Sequence, residues 1–146
     1  MDGTSLRDLM LLCAGKGGGG SAALTGTFAT NNASTYTFDF GKTLDRYFYL
    51  IEMTDDAKNA LMQSGESSAK MYAMYGVYPM PAMGESAPAA NMISVRVNPS
   101  TSELSVSAST SITISGSAIT MSNNSFSNGA NVWYKNQTYK YTLIPF

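Results

Sequence analysis

Between residues 35 and 53 the chain reads TYTFDFGKTLDRYFYLIEM. In its first six positions Tyr36, Phe38 and Phe40 alternate with Thr35, Thr37 and Asp39. A period of two places the rings on one side of a pleated strand and the polar groups on the other, so a half-buried strand is predicted. Gly41 breaks it. Leu44 to Met53 is then a dense apolar and aromatic run, which predicts a central strand covered on both faces.

Downstream, Thr54-Asp55-Asp56 has the composition of a helix start, with acidic groups facing the positive end of the helix dipole. A short helix through AKNALM is predicted, ending near Gly65. Residues 69–78 alternate again, with Met71, Ala73, Tyr75 and Val77 on one face and Lys70, Tyr72 and Met74 on the other. Residues 79–90, PMPAMGESAPAA, hold three of the five prolines and are predicted to be a long loop, because proline removes ladder donors. Met80 and Met83 make it unusually apolar. As adaptable side chains they are candidates for a subunit contact, or for a flap over the end of the β body.

Beyond the loop, Ile93, Val95 and Val97 alternate, and Leu104 with Val106 mark another strand. Ile112 with Ile114, Ile119 with Met121, Val132 to Tyr134, and Tyr139, Tyr141 and Leu143 mark the rest. Asn98-Pro99-Ser100 and Ser115-Gly116-Ser117 are turn sequences between them. About eight to ten short, evenly spaced strands predict an all-β fold, an antiparallel β-sandwich or jelly roll, over residues 23–146. No βαβ rhythm is present.

Working back to the start, residues 4–14, TSLRDLMLLCA, predict a short helix in which Leu6, Leu9, Met10 and Cys13 form one apolar stripe. Three turns are marginal alone, so the stripe needs something to bury against. Residues 1–15 are therefore read as an anchor helix and the Gly-rich residues 16–22 as a linker. The linker's GKGGGG string does not follow a strand and opens no helical pattern, as a dinucleotide loop would. The apolar run Leu9–Ala14 is shorter than the ~20 residues a bilayer requires and lacks a basic segment before it. Neither a membrane span nor an export signal is expected.

Composition narrows the function classes. The 146 residues carry a net charge of −1, and only 13% are charged. A nucleic-acid partner is not expected, because binding phosphates needs a basic surface. There is no histidine, which removes His-based triads and His metal sites, and the single Cys13 cannot make an internal disulfide. Nineteen Ser, 14 Thr and 10 Asn fill the space left by charge, as on neutral protein surfaces that meet neighbours and on sugar binders. The carboxylates form no marked pair: Asp39 and Asp45 fall at solvent positions, and Asp55-Asp56 start a helix. No catalytic residue, metal site or cofactor is expected. Trp133 and Tyr134 admit two roles, a core anchor or a stacking surface for a glycan.

The layout has a further likeness. The opening helix SLRDLMLLCAG, the tether GKGGGGS, the strands GTF (Gly26-Thr27-Phe28) and TYTFDFG, the stretch ITISGSAITM and the terminal WYKNQTYKYTLI come in that order. The chain resembles small β-rich structural proteins of phage and prophage tail and virion modules. The resemblance implies a non-enzymatic virion component, of fibre, decoration or receptor-contact type. It further implies a homo-oligomer made in the host cytoplasm and located in the virion, touching other virion proteins and, in a receptor-contact role, a host-surface glycan. Leu6, Leu9, Met10 and Cys13 would dock it into the assembly. Competing readings are a carbohydrate-binding module, a small hydrolase built on a carboxylate pair, and a bacterial surface or pilus subunit.

Overall fold

The computed structural model describes residues 22–79, 92–109, 113–124 and 132–146. The expected anchor helix over 1–15, nearly all of the linker, and Met80 and Met83 lie outside the described residues.

Among the described residues, ten strands and one helix follow in chain order. They are β1 (Leu24–Ala29), β2 (Thr35–Asp39), β3 (Tyr47–Met53), α1 (Asp55–Gln63), β4 (Lys70–Tyr78) and β5 (Met92–Asn98). After them come β6 (Glu103–Ser109), β7 (Thr113–Ile114), β8 (Ala118–Asn124), β9 (Val132–Tyr134) and β10 (Thr138–Pro145). The all-β expectation holds. A six-stranded antiparallel sheet has the order β1-β10-β3-β4-β5-β6, and a smaller sheet has the order β2-β8-β7 with β9 beside β8. The β8–β9 pairing is parallel, Ser122 opposite Val132, so the smaller sheet departs from a purely antiparallel arrangement.

The register sorts the large sheet's side chains into two faces. Phe28 lies opposite Tyr139, and Tyr139 opposite Met53. Tyr141 lies opposite Ile51, and Ile51 opposite Met74. These residues form the inner face. From the smaller sheet, Phe38 lies opposite Ile119 and Tyr36 opposite Met121. Phe38, Ile119 and Met121 share one buried cluster with Tyr47, Tyr49, Ile51, Met53, Met74 and Leu143. The Phe38 ring stands 4.2 Å from that of Phe28 and 4.6 Å from that of Tyr141, joining the sheets through an aromatic layer. Such ring pairs add about 0.5–1.5 kcal/mol beyond their buried area. Polar ties hold the same seam: the Tyr47 hydroxyl donates to the Ser115 carbonyl at 2.8 Å, and the Leu44 N–H to that of Gly116 at 2.7 Å.

Local signals fall where the residue types direct them. Thr54 caps α1, its hydroxyl accepting from the Ala57 N–H. Ala57 and Leu61 point into the core, and Gly65 closes the segment at φ +66°. Gly41 ends the β2 region at φ +72°, its N–H donating to Asp39 Oδ1 at 2.8 Å, a local bond characteristic of Asp in turns.

Two face assignments need correction. The single alternation expected over 69–78 is broken by a register shift between Met71 and Ala73. Met71 lies opposite Arg96 and Ala73 opposite Val95, adjacent residues on opposite faces of β5, so Met71 and Ala73 do not share a side. A bulge inserts one residue and resets the period, and nothing in the residue types announces it. The second concerns β3. Leu50 is buried on the outer face as the unbroken apolar run predicts, but Phe48 on that same face is 36% exposed.

Candidate interaction surface

The outer face of the large sheet carries the groups that neither core nor turn accounts for. Its register runs Lys140 opposite Glu52, Glu52 opposite Ala73, and Ala73 opposite Val95. Beside it run Thr142 opposite Leu50, Leu50 opposite Tyr75, and Tyr75 opposite Ile93.

One part of this region is polar and aromatic. Lys140 Nζ lies 3.4 Å from Glu52 Oε1 and 3.7 Å from Asp55 Oδ1, so a strand carboxylate and a helix-start carboxylate share one ammonium. The lysine is largely open to water, so each ion pair contributes at most about 1 kcal/mol and serves mainly to place the groups. Lys58 of α1 stands over the Tyr72 ring at 4.8 Å. Tyr72 and Tyr75 are half-buried. Burial raises the Tyr72 hydroxyl above its usual pKa, helped by the negative charge of Glu52. Burial likewise raises Tyr75, with Tyr72 and Glu52 adding to it. Both phenols are therefore neutral at physiological pH. The cluster offers hydroxyl donors, ring faces and paired charges, groups suited to hydrogen bonding and stacking.

The other part is apolar. Val95 lies opposite Val106 on the same outer face, and Ile93 is in register with position 108. Ile93 is 49%, Leu104 62% and Val106 68% exposed, while Ser94, pointing inward, is fully buried. At Ile93 and in β6 this inverts the usual arrangement, in which the apolar side of an alternating strand turns to the core, whereas Val97, farther along the same side of β5, is buried in the core cluster. β6 is the last strand of the sheet, and none of its described side chains, Glu103 to Val106, belongs to the buried cluster.

The expected site residues fare differently. Leu6, Leu9, Met10, Cys13, Met80 and Met83 lie outside the described residues. Trp133 and Tyr134 sit in β9, in parallel register with Asn123 and Asn124 of β8. The aromatics placed beside charged groups, Tyr72 and Tyr75, read in the sequence only as strand residues. The bulge at Met71/Ala73 that resets their faces left no signal. Two further carboxylates have local roles: Asp39 accepts from the Gly41 N–H, and Glu66 pairs with Lys70 Nζ at 3.1 Å. Among the described residues no three His, Cys, Asp or Glu side chains gather to hold a metal ion, and no helix is long and apolar enough to cross a membrane.

Compared with known proteins, the chain matches no family model, no curated sequence and no solved structure.

Proposed function

We propose that the chain is a non-enzymatic structural component of a phage virion, of tail-fibre, decoration or head-fibre type. In this reading residues 23–146 form a β-sandwich, residues 1–15 an anchor helix, and residues 16–22 the leash between them. The observation that carries the reading is the outward-facing apolar side of β5 and β6, with Ile93, Leu104 and Val106 exposed. Large apolar side chains grouped on one face are costly in water and mark protein contact surfaces. Low overall charge fits a module that meets neighbours along neutral faces. The test is to raise antibodies against residues 22–146 and probe particles purified from cells that carry the gene. The reading expects the protein in intact particles at a stoichiometric level. Its absence from purified particles, with expression verified in the cells, overturns the reading.

A second reading, a carbohydrate-binding module used in host-receptor recognition, draws on Tyr72 and Tyr75 beside Glu52, Lys58 and Lys140. Ring faces with flanking hydrogen-bonding groups suit sugar rings. Glycan-array binding that Tyr72→Ala and Tyr75→Ala abolish favours it, and an array without a hit removes it.

A further inference from the structure

We propose that the free edge of β6 pairs antiparallel with β6 of a second copy of this chain, extending the large sheet across a two-fold axis at Val106. Among the described residues β6 has a neighbour, β5, on one side only. Edge strands are normally guarded against pairing by Lys, Pro, a bulge or short length. β6 has none of these: it is seven residues long, reads ELSVSAS, and its register with β5 is regular throughout.

The strand is complementary to itself in one direction. With Val106 opposite its own copy, Leu104 falls opposite Ala108, Ser105 opposite Ser107, and Glu103 opposite Ser109. Adding β5, one outer-face row reads Val95–Val106–Val106–Val95 across both copies, and the next reads Ile93–Ala108–Leu104. From position 104 to position 108, apolar positions therefore fall opposite apolar positions and serine positions opposite serine positions, while Glu103 falls opposite Ser109. Directly opposed apolar pairs stabilise a sheet. Charge selects the direction. The sole ionisable side chain of β6 is Glu103, and antiparallel pairing sets the two copies of it about 20 Å apart along the seam, at ~3.4 Å per residue. Parallel pairing would place them side by side.

The proposal does not rest on the virion reading: a chain that dimerises through β6 and is absent from particles leaves it standing. The experiment is sedimentation equilibrium on the full chain, expected at twice 15.6 kDa or a multiple of that pair. Val106→Lys sets two ammonium groups against each other at the axis and is expected to halve the mass. The Val106→Lys monomer should stay folded, because Val106 is 68% exposed within its own chain, and its melting temperature should lose the dependence on protein concentration that the wild-type dimer shows. In a Cys13→Ser background, Val106→Cys is expected to form an interchain disulfide on mild oxidation, and Glu103→Cys is not. A wild-type monomer at millimolar concentration, an assembly that survives Val106→Lys, or cross-linking by Glu103→Cys equal to that by Val106→Cys each overturns the proposal.

Discussion

Tyr141 lies across Gly26 on the neighbouring strand, so closely that a β-carbon at Gly26 would sit 2.7 Å from the tyrosine oxygen and 2.9 Å from two ring carbons. The glycine is a space requirement of that ring, and the ring is one of those that join the two sheets through Phe38. Gly26→Ala should therefore push Tyr141 off Phe38 and destabilise the fold by about 1–3 kcal/mol, the usual cost of overpacking. Urea denaturation measures it. In a Tyr141→Ala background the same change should cost much less, because nothing is left to clash.

Alkali should unfold this protein by releasing buried phenols. Burial, with Tyr78 adding to it, holds Tyr47 far above its usual pKa, and burial, with Tyr47 adding to it, does the same for Tyr49. In the unfolded chain tyrosine ionises near ~10. Above that pH the unfolded state has lost protons that the folded state keeps, so stability falls as pH rises. It is fully present below about pH 10. Tyr49→Phe should flatten the slope of stability against pH above 10, as read by denaturation at a series of pH values. An unchanged slope would show that other groups dominate.

Leu61 of α1 is buried with Ala57 in the core, so Leu61→Ala should cost about 2–5 kcal/mol, the range for opening a cavity in a packed interior. The exposed helix position Asn59, on the other side, should tolerate alanine within about 0.5 kcal/mol. Equal effects in thermal melts would contradict the packing of α1.

Lys70 is 1% exposed and pairs with Glu66 at 3.1 Å. Removing one partner of a buried ion pair costs more than replacing the pair with apolar groups, because it leaves a charge out of water. Glu66→Ala should destabilise by about 1–3 kcal/mol, the carboxylate being partly solvated, and Lys70→Met in that background should recover most of the loss. A double mutant no more stable than Glu66→Ala would argue against the pair.

Deleting residues 1–15 should leave the melting temperature of the β body close to that of the full chain and abolish its incorporation into particles. A truncated protein that still assembles would remove the anchor from the account.

Much of the secondary structure was legible in residue order. TYTFDF specified β2, and Thr54-Asp55-Asp56 specified the start of α1, because alternation and capping are properties of neighbours in the chain. The side each strand turns inward was not legible at β5 and β6. Leu104 and Val106 alternate with serines identically whichever face meets the core. Likewise, the reset of faces at Met71/Ala73 comes from a bulge whose residues look like any strand. Period two separates a strand's faces but does not name the inner one. A face becomes interior only when another layer covers it, and the buried cluster formed with the smaller sheet and α1 includes none of the described side chains of β6, Glu103 to Val106. Residue order thus determined that this chain is built of strands, and tertiary packing alone decided which apolar side chains became its core and which became its surface.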